Sequence, residues 1–428
     1  MKKKSILFLL ISLMLIVTAC NSNSGGDSSS KKVDQITVWA WDANFNIKAL
    51  NIANSYYIKE DAEFKINIVE NSQDDVIQKM NTGLASGTTA GLPNIVLIED
   101  YRAQGFLQSY PDMFFPLTDY FKVDDFAEYK IGPTSYDGKN YGIPFDSGVT
   151  GLYVRTDYLE QAGYTIDDLQ NITWSEYIEI GKAVKEKTGK YMMALDPSDL
   201  GIIRVMIQTD GSWFTKEDGV TPNLVGNEAL AEALQVYKEI MKADIVKLAS
   251  DWSEYVAAFN DGSVASVPTG NWISASVKAN ADQAGNWAVA PIPRLANQPN
   301  SANASNLGGS SWYVLNIAGA EQAAKFLQAT FGSNVDFYQE LVTEIGAIGT
   351  YKPASDGEVY QSADEFYQGQ KVFEDLAEWT ANIPRVNYGM HTYAIADILV
   401  VELQNYLNDK DLNQVLADAQ AQAESQLK

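Results

Sequence analysis

Cysteine and histidine are almost missing from this chain. One of each, Cys20 and His391, occurs among 428 residues. A single cysteine excludes an internal disulfide framework. A single histidine argues against a zinc or manganese receptor, because such sites draw on several His ligands together with carboxylates. Basic residues are scarce as well: 31 Lys and Arg stand against 55 Asp and Glu, a formal charge of −24. Nucleic acid and anionic lipid surfaces are poor partners for that balance. No EF-hand loop, P-loop, Gly-x-Ser-x-Gly elbow or Ser-His-Asp set can be picked out. Neither a metal nor a cofactor is expected.

One apolar run stands at the start. Ile6 to Val17 is apolar apart from Ser12, follows Lys2, Lys3 and Lys4, and stops at Thr18-Ala19-Cys20. It fits the roughly 7–15 residues of an export signal and falls short of the ~18–20 that span a bilayer. Val17-Thr18-Ala19-Cys20 resembles a bacterial lipobox, which implies that Cys20 is lipidated and becomes the mature N-terminus. The alternative is a plain secretion signal with an incidental cysteine. Residues 1–19 are then a signal peptide and 20–32 a lipidated tether, the chain's only expected hold on a membrane. Asn21 to Lys32 has no apolar residue to bury, and a flexible segment of that length reaches roughly 20 Å. Loss of Lys2, Lys3 and Lys4 takes the formal charge from −24 to −27.

The remainder, about 400 residues, suits two domains better than one core. Ile36 to Trp41, Phe64 to Val69 and Asn94 to Ile98 read as strands, with helical spacing at Asn46 to Tyr57 and at Val76, Ile77, Met80 and Leu84 between them. That βαβαβ order predicts an α/β domain with a parallel sheet. Gly142 to Phe145 and Gly151 to Val154 are extended pieces separated by breakers, which predicts a crossover. Thr173-Trp174-Ser175-Glu176 is a capping-box sequence ahead of a helix that stops near Gly189. A second long helix is predicted over roughly Asn227 to Met241. Trp287 to Pro293 and Trp312 to Leu315 read as strands, and the chain from Glu321 as mostly helical.

These features, in this order, resemble the family-1 extracellular solute-binding lipoproteins of bacterial ABC importers, the group that includes maltodextrin-binding protein. The resemblance runs through Trp39-Ala40-Trp41-Asp42, Pro93-Asn94-Ile95-Val96-Leu97, and Tyr141-Gly142-Ile143-Pro144 followed by Gly151-Leu152-Tyr153-Val154-Arg155. It continues through Thr173-Trp174-Ser175-Glu176, Phe259-Asn260-Asp261-Gly262, Gly270-Asn271-Trp272, Gly308-Gly309-Ser310-Ser311-Trp312 and Asn382-Ile383-Pro384-Arg385. It implies a two-lobe binding-protein fold, each lobe a mainly parallel sheet flanked by helices, joined by a hinge of several strands. It assigns 33–148 plus 287–332 to the N-lobe and 151–285 plus 333–428 to the C-lobe. It also implies a monomer at the extracellular face of the cell membrane, which captures an oligosaccharide between the lobes and hands it to transporter permease subunits without catalysis. Trp39 to Asn46 is similar to binders of plant-type or galactose- and arabinose-containing oligosaccharides.

Ligands of open parallel sheets bind beyond the carboxyl ends of the strands. Trp41 and Asp42 follow the first strand, and Asp100 and Tyr101 the third. Each pair joins an aromatic wall to a carboxylate, which suits the C–H face and the hydroxyls of a sugar. The resemblance adds Asp146 at the crossover, Trp272 in the other lobe, Trp312 on the returning crossover, and Arg385, Tyr388 and His391 after Asn382-Ile383-Pro384. The glycines at 308 and 309 would let backbone approach a ligand. Each residue has a plainer alternative. A Trp is commonly core, an Asp after a strand commonly caps a helix, and Arg385 could simply pair with a carboxylate. A secreted glycosidase or a surface adhesin are the competing functions.

Overall fold

The computed structural model describes residues 30–427. The signal segment, Cys20 and the tether up to residue 29 lie outside the described residues.

The first stretch of chain supplies β1 (Ile36–Ala40), β2 (Ile66–Glu70), β3 (Ile95–Glu99), a hairpin of β4 (Ser135–Tyr136) and β5 (Lys139–Asn140), and β6 (Gly142–Pro144). The second supplies β7 (Thr150–Arg155), β8 (Met193–Leu195), β9 (Val246–Leu248), β10 (Ser266–Gly270) and β11 (Trp287–Pro291), and β12 (Ser310–Val314) follows. The first sheet runs β2-β1-β3-β12-β6. Its β1–β2 and β1–β3 pairs are parallel, and β12 is antiparallel to both β3 and β6. In the second lobe, β7 is antiparallel to β10 and β11, and β8 is parallel to β9. A parallel bridge from Tyr191 to Val264 sets β8 beside β10. Both lobes therefore carry the sequence parallel, parallel, antiparallel, antiparallel. The expected mainly parallel sheets are mixed, because strands that return across the lobe boundary enter each sheet from the opposite end.

Local sequence explains the helices between the strands. Ser72 accepts a hydrogen bond from the Asp75 amide and starts helix Gln73–Ala85. The predicted capping box forms: the Thr173 hydroxyl accepts from the Glu176 amide at 3.3 Å, and Glu176 accepts from the Thr173 amide at 2.8 Å. The helix ends at Gly189 with φ +72°. Asn227 caps the helix Glu228–Lys242. The C-terminal part is mostly helical, as expected, with one interruption: helices Ala320–Ala329 and Val335–Ile345 are separated from Val372–Ala381 by a stretch of short 3-10 turns.

Three segments cross between the lobes: 145–149, 292–309 and the stretch between Ala354, packed in the first-lobe core, and Phe366, whose carbonyl accepts from the Gly285 amide of the second lobe. The first two are tied by the Val149–Asn306 bridge, and the Asp146–Gly349 bridge lays the chain after Ile345 against the 145–149 segment before it returns to the first lobe. Two expected lobe boundaries are corrected. β11 pairs with β7 in the second lobe, not in the first. Helix Val335–Ile345, expected in the second lobe, packs on the first, where Phe337 meets Tyr56 edge-on at 5.9 Å. An apolar run states that it will be buried, but not against which of two similar sheets.

Candidate functional site

At the carboxyl ends of β8, β9 and β10 lies a pocket of about 280 Å³. Trp252, Tyr255 and Trp272 wall it, Asp196 and Asp199 supply carboxylates, and Leu307 of a crossover segment closes one side. The aromatic wall is built from the sequence upward. Asp251 caps helix Trp252–Asn260 by accepting from the Glu254 amide at 2.9 Å. Glu254 in turn accepts from the Ser250 amide and hydroxyl, each at 2.8 Å. The fixed first turn sets Trp252 and Tyr255 three residues apart on one face, with rings 5.6 Å apart and stacked. Trp272 lies 5.8 Å from Trp252 and donates its indole N–H to the Leu307 carbonyl at 2.9 Å. Only glycine fits at position 270, where a Cβ would lie 2.2 Å from Trp272 Nε1.

The carboxylates are pre-oriented. Asp196 Oδ1 accepts from the Ser198 amide and hydroxyl. Asp199 Oδ1 accepts from the Gly201 amide at 2.9 Å and from Arg204 Nη2 at 3.1 Å. The Oδ2 atom of each meets no protein donor among the described residues. Burial pushes the Tyr255 hydroxyl well above its ordinary range, with a hydrogen bond to Thr269 opposing, so it stays a neutral donor. Among the described residues no Lys or Arg lines the pocket. Flat apolar faces beside fixed acceptors suit an uncharged polyhydroxy ligand. A hydroxyl donated to a carboxylate contributes about 1.5–3 kcal/mol.

Of the residues singled out from sequence, Trp272 alone lines this pocket. Tyr101, Tyr388 and Trp213 form a buried aromatic group where the lobes meet. Tyr101 and Tyr388 are edge-on at 4.7 Å, and the Tyr388 hydroxyl donates to Asn306 Oδ1 at 3.0 Å. Trp312 is corrected from cleft to core. It is fully buried against Phe145 and Phe331, because alternation along β12 turns Ser311 and Tyr313 to the other face. Trp41 is half-buried between two first-lobe clusters. Asp42 is exposed with φ +64°, and its Oδ1 accepts from the Asn44 and Phe45 amides. Arg385 is exposed and pairs with Glu128 of the opposite lobe. His391 is half-buried at the start of helix Thr392–Leu407, and desolvation lowers its pKa. Trp252, Tyr255, Asp196 and Asp199 were missed. The signal available was Asp251-Trp252-Ser253-Glu254, a cap sequence that spends a tryptophan on the first turn of a helix.

Asp100 and Asp146 meet in a different setting. The ammonium of Lys130, fully buried, pairs with Asp100 Oδ2 and donates to the carbonyls of Asp146 and Ser310 at 2.9 and 3.1 Å. Asp100 also accepts from the Ser311 hydroxyl at 2.9 Å, and Asp146 Oδ1 from the Ser310 amide at 2.8 Å. Gly309, with φ +85°, is what approaches closely here: a Cβ on it would sit 3.1 Å from Asp100 and 3.2 Å from Lys130. Gly309 thus serves an ion pair beneath the crossovers, whereas a Cβ on Gly308 would meet the Trp272 indole.

Burial pushes Asp146 from 3.8 up to about 6; Lys130 pulls it down and Asp100 pushes it up. A raised carboxylate pKa means that the folded protein holds a proton which the unfolded chain releases first. That contribution is complete below the unfolded pKa and is lost as pH rises through about 6. Relative to Asp146→Asn, which cannot titrate, the parent protein is expected to lose about 3 kcal/mol between pH 3.5 and 7.5. Urea unfolding of both proteins across this range measures it; a constant difference would count against the assignment.

The bacterial extracellular solute-binding protein model matches residues 53–368. The chain is 45% identical over 401 residues, 94% of either chain, to a lactose-binding protein of Rhizobium radiobacter. It is 30% identical over 328 residues, 74% of this chain and 72% of the relative, to an arabinooligosaccharide-binding protein of Halalkalibacterium halodurans. Among solved structures, the GacH receptor of Streptomyces glaucescens, known unliganded and with acarbose, aligns with a TM-score of 0.74 at 17% identity, covering 92% of this chain and 98% of that one. A transporter-associated binding protein from B. animalis subsp. lactis, in complex with β-1,6-galactobiose, gives 0.71 at 20% identity with the same coverage. These structural likenesses carry the two-lobe fold. With the model match spanning most of the folded residues and one relative similar over nearly its whole length, the chain belongs to the bacterial extracellular solute-binding protein family.

Proposed function

We propose that this protein captures an uncharged di- or oligosaccharide between its lobes and presents it to an ABC importer. The observation that carries the reading is the pocket at the strand ends, which Trp252, Tyr255 and Trp272 line together with the carboxylates of Asp196 and Asp199. The family is extracellular by description, which gives the chain an outside-facing location. The lactose- and arabinooligosaccharide-binding relatives agree with the galactose- and arabinose-type sugars suggested by Trp39 to Asn46. Those relatives are binding proteins rather than enzymes, which favours transport over hydrolysis.

A thermal-shift panel of lactose, galacto-oligosaccharides and arabino-oligosaccharides tests the ligand class, because a ligand selective for the native state raises stability by mass action. Recovery of the sugar intact separates binding from hydrolysis. Trp272→Ala is expected to weaken the bound sugar by about 1–3 kcal/mol, read by titration calorimetry on the folded variant. Unchanged affinity would remove Trp272 from the site.

The lipid on Cys20 is part of the same proposal, supported by Val17-Thr18-Ala19-Cys20. Cys20→Ala should abolish lipid labelling and release the protein from the membrane fraction. A variant that still takes up labelled fatty acid would refute the anchor.

A further inference from the structure

We propose that Arg204 is a positioning residue through which the first lobe orients the Asp199 carboxylate, so that this acceptor is held for a sugar hydroxyl only while the lobes are in contact. The inference rests on the carbohydrate reading above and deepens it.

Arg204 belongs to helix Gly201–Gln208, whose eight residues are all buried. A cation there is costly, and an apolar side chain of similar volume would often serve stability as well or better. Its Nε–H is buried with no hydrogen-bond partner among the described residues, a further cost to the fold. What the guanidinium does is join two sets of neighbours. On the pocket residue Asp199, Nη2 donates to Oδ1 at 3.1 Å. At the lobe contact, the guanidinium carbon lies 5.5 Å from the ring centres of Tyr101, of the first lobe, and Tyr393, of the second, within reach of a cation–π attraction. The Tyr393 hydroxyl in turn donates to Glu99 of the first lobe at 2.6 Å, and Arg102 Nε stands 3.6 Å from the same carboxylate oxygen. Burial works against the Arg204 charge, and Asp199, Tyr393, Tyr101 and Glu99 together more than offset it. Among the described residues no hydrogen bond or ion pair joins Asp199 to Glu99 directly. Arg204 is the group they share.

Asp199 needs that support. Its side chain is 60% exposed, whereas that of Arg204 is 8% exposed. An exposed carboxylate keeps its rotamer freedom unless a rigid donor holds it. The backbone amide of Gly201 supplies one bond and Arg204 the other, both to Oδ1, which leaves Oδ2 for the ligand. A planar guanidinium packed against two rings is a fixed donor, and one that a flexible ammonium would not match. Its place depends on Tyr101 and Glu99, so the order of the pocket acceptor depends on the first lobe.

The test is a cycle of affinities measured by calorimetry on the full folded chain, in the parent, Glu99→Gln, Asp199→Asn and the double variant. The sugar is lactose, or arabinotriose where lactose does not bind. Residues that act in series lose less together than the product of their separate losses. Glu99→Gln keeps an acceptor for Tyr393 but removes the charge. It is expected to weaken the sugar about fivefold in the parent, the lower end of coupling between two sites, and to leave the affinity of Asp199→Asn nearly unchanged. Arg204→Gln should weaken the sugar and abolish the effect of Glu99→Gln, and Arg204→Lys should retain part of it. A loss by the same factor in the parent and in Asp199→Asn overturns the proposal, as that is what a merely structural Glu99 would give. Unchanged affinity in Glu99→Gln overturns it too. If Arg204→Gln does not fold, the Glu99 and Asp199 variants decide alone. If neither sugar binds the parent, the carbohydrate reading itself falls, and the positioning role with it.

Discussion

Replacing Lys130 by Met is expected to cost about 3–5 kcal/mol of folding stability. The ammonium is fully buried and, among the described residues, is the only cation paired with Asp100. Its removal leaves Asp100 with the Ser311 hydroxyl and Asp146 with the Ser310 amide, which is too little to offset two desolvated carboxylates. Burial already raises the pKa of Asp100 and Asp146 in spite of Lys130. Without it both should rise further, so the loss should be larger at pH 8 than at pH 5, where protonation relieves the charge. Urea unfolding at the two pH values provides the measurement. A loss below about 1 kcal/mol would mean that the cluster is solvated and does not anchor the crossovers. Lys130→Met together with Asp100→Asn and Asp146→Asn should recover part of the stability, because a buried charge is most costly when its partner alone is deleted.

Trp312→Ala is expected to cost about 3–5 kcal/mol of stability. It should leave the sugar affinity of the protein that remains folded unchanged. The indole is fully buried within the first-lobe core, tilted against Phe145 at 5.7 Å and Phe331 at 5.2 Å. Truncation opens a cavity between two packed rings that cannot close over it. Paired with Trp272→Ala, it separates two tryptophans that sequence reasoning had placed in one site. One variant should lose stability and keep affinity; the other should lose affinity. Equal effects on both properties in both variants would defeat the distinction. Denaturation midpoints and calorimetric affinities on the same preparations decide it.

The family relationship puts the pocket chemistry in context. The extracellular solute-binding proteins work by ligand capture, so a site of aromatic walls and fixed acceptors needs no group poised to titrate near neutral pH. Two carboxylates whose pKa burial raises, Asp100 and Asp146, sit instead beneath the crossovers. There the Tyr129 hydroxyl also donates to the Ser147 carbonyl at 2.6 Å. Contacts between the lobes are made elsewhere: Tyr393 of the second lobe donates to Glu99 of the first at 2.6 Å, and Arg102 lies 3.7 Å over the Tyr393 ring. Capture, hinge and lobe contact thus fall on separate sets of residues.

By itself the sequence determined what depends on neighbours along the chain. The alternation of β1, the buried run of β3, the Thr173–Glu176 capping box and the Gly189 stop are local, since side-chain period and cap chemistry act over a few residues. The two-lobe fold came from the family resemblance that the motifs along those elements carry. Trp272 was named only through the family resemblance at Gly270-Asn271-Trp272, and the fold sets it in the second-lobe pocket. Only the tertiary structure decided the rest. Asp100 and Trp312 look like binding residues until Lys130 and Phe331, far away in sequence, are brought against them. Trp252 and Asp199 look like a helix start and a loop until three short strands bring their ends together. Burial and pairing are properties of the packed chain, and an aromatic or a carboxylate takes its role from what the fold sets beside it.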